Sequence, residues 1–140
     1  MATRRLYFHG FLIVLISLAL GLVVAAVGPG PAGRLWLASH TTGLMTGLLV
    51  IAAGAVWSEL TLGARALRVA YFCVTTGAWA GLVLLGLFVP IMKMPQGQAG
   101  HELPPVSGWP MAVVGVALIY VTLTLLAGAV MIVLGLRPKP

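Results

Sequence analysis

Long apolar runs separated by short polar stretches are the first pattern in this sequence. Four runs exceed the roughly 18 residues that mark a membrane-crossing helix. The first spans Leu6–Val27, behind Arg4 and Arg5, and Gly28-Pro29-Gly30-Pro31 ends it, because alternating Gly and Pro cannot continue a helix. The second spans Leu35–Trp57 and is broken by Ser58-Glu59 and Gly63. The third spans Ala66–Val89 and is stopped by Pro90. A polar loop from Met92 to Pro110 follows, carrying Lys93, His101, Glu102 and four prolines. The fourth run spans Met111–Leu136, and Arg137-Pro138-Lys139-Pro140 closes the chain. The pattern predicts an all-α integral membrane protein, a four-transmembrane-helix bundle forming one domain over residues 1–140.

Composition narrows the solvent. Apolar residues make up 61% of the chain and charged residues 7%, against about 45–50% and about 25% in soluble domains. Disorder needs low hydrophobicity and high charge, so it is excluded. A water-soluble globule could not cover its surface with so few charges. The acids are Glu59 and Glu102 alone, and the net charge is +6. The basic residues come in ones and twos rather than in a face, which argues against nucleic acid. They sort instead by side. Arg4, Arg5, Arg65, Arg68, Arg137 and Lys139 fall at one end of the predicted helices, and Arg34 and Lys93 at the other. That asymmetry predicts a multi-pass inner-membrane protein with both termini in the cytoplasm. The first run is longer than the roughly 7–15 apolar residues of a signal peptide, so it reads as a retained helix. Cys73 stands alone and forms no internal disulfide.

The usual catalytic signatures are missing. There is no Cys-x-x-Cys, no phosphate-binding Gly loop, no Gly-x-Ser-x-Gly and no acid within a predicted helix. Gly43-x-x-x-Gly47 and Gly77-x-x-x-Gly81 are close-approach motifs, and Gly54 extends the stripe of His40, Gly43 and Gly47 along one face. His40 is the sharpest candidate for chemistry. Five residues into the predicted second helix, it lies about 8 Å inside the boundary. An imidazole at that depth is either a neutral group bonded to a neighbouring helix or a ligand to a metal or haem iron. His9 belongs near the opposite end of its helix, more than about 15 Å away given a hydrocarbon core of roughly 30 Å. Cys73 is excluded as a second ligand on the same ground, and His101 is assigned to the solvated loop. One histidine without a carboxylate cannot hold a bare metal ion, which takes three or four protein ligands. Haem needs one axial residue.

His40-Thr-Thr-Gly43-Leu-Met-Thr46-Gly47, followed by Gly54-Ala55-Val-Trp57-Ser-Glu59-Leu-Thr-Leu62, resembles the second-helix signature of the hydroxylaminobenzene mutase family. The opening Arg-Leu-Tyr-Phe-His9-Gly10 and the closing Leu-Gly135-Leu-Arg137 are similar to that family's ends. Styrene oxide isomerase is similar in plan and more distant. The resemblance implies an oligomer, a homotrimer, with ferric haem b between protomers and His40 as the axial ligand. It implies Gly43, Gly47 and Arg34 as cofactor-binding residues and Thr46 and Trp79 as catalytic residues. Arg34, near the outer interface, suits either a haem propionate, whose carboxylate geometry guanidinium matches, or an anchoring place among headgroups. The implied chemistry is isomerisation of a small apolar aromatic substrate reaching the site through the bilayer. Iron as Lewis acid would convert an aryl hydroxylamine to an aminophenol, or an aryl epoxide to an aldehyde. Thr46 lies about 120° round the helix from His40, which suggests a haem ligated by His40 of one chain and lined by Thr46 of the next. Thr46 stands where the family has asparagine, and Ala78-Trp79-Ala80-Gly81 replaces an aromatic-Ala-Asn-Trp segment. Two amides are thereby lost, which keeps open the alternative of a non-enzymatic haem-binding or structural membrane protein.

Overall fold

The computed structural model describes residues 1–91 and 109–138. Helix α1 is Ala2–Val27, α2 is Pro31–Val56, α3 is Ala64–Ile91 and α4 is Trp109–Gly135. All four are long and apolar enough to cross a membrane, and the described residues contain no strand. The expectations for Lys93, His101, Glu102 and Lys139 fall outside the described residues.

Two of the boundaries that differ from the sequence reading have their reason in proline. Gly28 (φ 73°) and Gly30 (φ 149°) reverse the chain after α1, as the Gly-Pro repeat predicts. Pro31, however, opens α2 rather than delaying it to Leu35. At the first helical position its missing N–H has no intrahelical partner to lose, and its fixed φ suits the helix. His40 thus lies nine residues into α2, about 13 Å along the axis rather than about 8 Å.

The second difference is in α3. Pro90 was expected to stop it, yet the helix continues to Ile91 by widening into a π-helical segment at Gly81–Leu87, with the N–H of Phe88 on the carbonyl of Val83. Pro90 offers no N–H to the carbonyl of Gly86 and crowds it. Wider local turns re-satisfy backbone groups that proline frees inside a membrane helix. Such bulges occur often at functional sites.

The bundle is built from two hairpins. Helices α1 and α2 zip together antiparallel along their small residues. A Cβ on Gly10 would meet Ile51 and the Gly47 carbonyl, one on Gly43 the Ser17 side chain, and one on Gly54 Leu6 and Tyr7. Helices α3 and α4 pair the same way, with Gly77 against Thr124 and Leu125, and Gly128 against Val74. Leu82 of the π-helical segment joins the hairpins, fully buried and in reach of Gly43. The interior includes Leu6, Ile13, Val50, Ala70, Val74 and Ala78. Large apolar side chains such as Phe8, Phe11, Leu15, Leu22, Ile119, Leu123 and Val133 point outward, as hydrocarbon solvent permits.

One tie closes the end where α2 meets α3. The backbone N–H and the hydroxyl of Thr61 both donate to the carbonyl of Gly135, each at 2.9 Å. They satisfy one of the carbonyls that α4 leaves open at its C-terminus. The tie also gathers Arg4, Arg5, Arg65, Arg68 and Arg137 at this end of the bundle, opposite Arg34. Thr61→Val removes the hydroxyl donor while keeping the N–H, so we expect a loss of about 1 kcal/mol, measured by reversible unfolding in mixed micelles.

Candidate functional site

The imidazole of His40 lies against α1. Its Nδ1 is 2.6 Å from the backbone carbonyl oxygen of Ser17. A carbonyl cannot donate, so Nδ1 carries the proton. In the neutral imidazole the lone pair then lies on Nε2. Nε2 has no hydrogen-bond partner among the described residues, and it is not sealed inside the protein. The result is a half-buried imidazole with one nitrogen anchored and the other free to bind a ligand.

Helix α1 is shaped for this contact. Gly21 stands one turn from Ser17, and a Cβ there would come within 2.9 Å of His40 Cε1. The Ser17 hydroxyl, fully buried, donates back to the Ile13 carbonyl at 2.7 Å and fills the space beside Gly43. Outward from His40, Gly33 lies seven residues earlier on the same helical face. There α1 and α2 form a groove of about 520 Å³ lined by Val24, Ala25, Gly28, Pro29, Gly30, Gly33, Arg34 and Leu37. Arg34, exposed, brings the only ionisable side chain to that lining.

The other expected site residues are dispersed. The open sides of Gly43 and Gly47 are filled by Ser17, Val14 and Gly10 of α1, so the space at both belongs to the helix contact. Thr46 faces α3, with its methyl carbon 3.7 Å from the position of a Cβ on Gly81. Its hydroxyl donates to the carbonyls of Thr42 (3.0 Å) and Gly43 (3.2 Å). Trp79 turns to α1, where its indole N–H donates to Nδ1 of His9 at 3.3 Å and the rings meet edge to face. His9 therefore packs against Trp79 of α3. It lies eight to twelve residues along α1 from Ser17 and Gly21, roughly 12–18 Å from His40's contact. Arg34 lines the groove, and His40 lies one helical turn inward of its Leu37 wall, outside the lining; Thr46 and Trp79 do not line it either. Among the described residues no three His, Cys, Asp or Glu side chains converge as a metal site. Sequence reasoning missed Ser17 and Gly21. The signal was present, since Gly10, Ser17 and Gly21 repeat at seven and four residues and mirror the α2 stripe.

The sequence profile described as styrene oxide isomerase matches residues 2–137 of this chain. The chain belongs to the styrene oxide isomerase family. It is also 28% identical to hydroxylaminobenzene mutase HabB of Ectopseudomonas oleovorans, over 98% of this chain and 82% of that protein. No solved structure matches it. The family resemblance seen in the His40 and Trp57 segments therefore holds along nearly the whole chain. Membership supports a membrane enzyme of the isomerase or mutase type. In styrene oxide isomerase family terms, the departures at Thr46 and Ala78–Gly81 now have locations. The first is a buried hydroxyl spent on its own helix, and the second is a helix contact tied to His9.

Proposed function

We propose that this protein is an intramolecular isomerase that breaks a bond to oxygen in small apolar aromatic substrates and rearranges them, using haem b held by His40. The observation that carries the reading is the state of His40, with Nδ1–H on a backbone carbonyl and Nε2 without a partner among the described residues. Metal-bound histidines almost always donate their other nitrogen to a carbonyl, carboxylate or water. A single such donor suits haem, whose porphyrin supplies the remaining equatorial nitrogens, and does not suit a bare ion. Bound there, ferric haem supplies a Lewis acid for the oxygen of an aryl hydroxylamine or aryl epoxide. Products are the aminophenol or the aldehyde, with no net gain or loss of electrons.

The chain's residues set the surroundings. His40 would hold the haem iron through Nε2, and the Ser17 carbonyl keeps its proton on Nδ1. Arg34, in the groove outward of His40, is placed to pair with a propionate in the geometry guanidinium prefers. Val24, Ala25 and Leu37 give that groove apolar walls that suit an aromatic ring. His40 is half-buried, and the family resemblance implies an oligomer, so the site in this reading lies between protomers of a trimer. The basic end faces the cytoplasm of an inner-membrane protein.

Detergent-purified protein expressed with ample haem is expected to show a Soret band and to convert phenylhydroxylamine to aminophenol or styrene oxide to phenylacetaldehyde. A colourless protein would sink the haem assignment. A second reading, haem binding without catalysis, is favoured by the Thr46 hydroxyl being held on its own backbone. Haem without turnover of either substrate class selects it.

A further inference from the structure

We propose that Gly21 is the positioning residue for His40: by lacking a side chain it seats the imidazole in one orientation, Nδ1–H on Ser17 and Nε2 outward. The inference rests on the reading of His40 as a haem ligand and adds a residue from another helix to it.

The geometry leaves the ring little room. The 2.6 Å contact with the Ser17 carbonyl is already short for N–H···O. That carbonyl also faces the helical N–H of Gly21, so the imidazole takes its second lone pair. A Cβ on residue 21 would stand 2.9 Å from Cε1 and 3.0 Å from Nδ1. Helix α1 cannot retreat, because Gly10 and Ser17 lock it to α2 on the same side. The imidazole, at the free end of a side chain, must swing away and give up the Ser17 carbonyl. Without that acceptor Nδ1 and Nε2 compete for the proton, and Nε2 is no longer reserved for a ligand. A neutral carbonyl also leaves the ligand a neutral imidazole, weaker in electron donation than one bonded to a carboxylate. That suits Lewis-acid chemistry, in which the iron must withdraw electron density from oxygen.

The test uses the full-length protein in lipid nanodiscs with ¹⁵N-labelled histidine. In haem-free wild type, the His40 ring is expected as the Nδ1–H tautomer. In Gly21→Ala that signature is lost, while Gly115→Ala, a helical glycine with open space around it, keeps it. In haem-loaded protein, Gly21→Ala is expected to release haem to apomyoglobin roughly 10- to 100-fold faster, the usual scale for losing an outer partner of a metal ligand. Its Soret band should shift as well. An Nε2–H tautomer in wild type overturns the proposal without any variant. So does a Gly21→Ala protein matching Gly115→Ala in tautomer and haem release. A wild type with the Nδ1–H tautomer that never takes up haem overturns instead the ligand reading, and with it the purpose assigned to Gly21.

Discussion

His40→Ala is expected to yield a folded, colourless protein with most of its isomerase activity lost. The side chain is half-buried and makes one hydrogen bond, to a carbonyl that α1 already satisfies. Its loss therefore costs only about 1 kcal/mol of stability. The cost to function is far larger, because the described residues offer no other ligand near the groove. Turnover should fall on the order of 100-fold or more, the scale seen when one preorganised stabiliser of a developing oxygen charge is removed. The space vacated beside Gly21 has the size and the carbonyl acceptor of the lost ring. Millimolar imidazole should therefore restore the Soret band and part of the activity. Absorption spectra and product assays on wild type, His40→Ala and the rescued variant decide the matter. A His40→Ala protein with an unchanged Soret band would remove His40 from the iron.

How much of this was legible in the sequence follows the range of the forces involved. The four helices were legible because hydropathy over some twenty residues is a local sum, and because Gly28 and Gly30 supply a reversal that few other residues tolerate. The behaviour of Pro31 and Pro90 was not, since proline's effect depends on whether the N–H it lacks had a partner. At Pro31 it had none, and at Pro90 a π-helical turn absorbed the loss. His40 stood out through the scarcity of other polar groups, but its acceptor did not, because every residue carries a carbonyl. The partners of Trp79 and Thr46 were hidden for opposite reasons. Trp79 pairs with His9 seventy residues away, whereas the Thr46 hydroxyl turns back on its own helix.

Gly47→Leu is expected to be strongly destabilising. A Cβ at this position meets Val14 Cγ2 at 2.7 Å, the Gly10 carbonyl at 3.0 Å and the Val14 backbone N at 3.1 Å. Two of those three atoms are backbone and cannot rotate away. From the other side, a Cβ on Gly10 would meet the Gly47 carbonyl at 2.9 Å, so each glycine occupies the space the other needs. In lipid the helices gain nothing from hydrophobic association and depend on this close packing, so a wedge of one side chain removes much of what joins them. Overpacking of this kind costs about 1–3 kcal/mol, and the rigid backbone contacts put Gly47→Leu at about 3 kcal/mol. Separation at Gly47 also lifts α2 from α1 two turns away, where His40 meets Ser17, so haem retention should fall with stability. Gly115→Leu adds the same side chain where nothing lies within 4 Å, and it is expected to leave both unchanged. Unfolding in increasing mole fractions of SDS, with haem absorbance followed in parallel, compares the pair. Equal midpoints for the two variants would show that the backbones of α1 and α2 do not meet at Gly10 and Gly47.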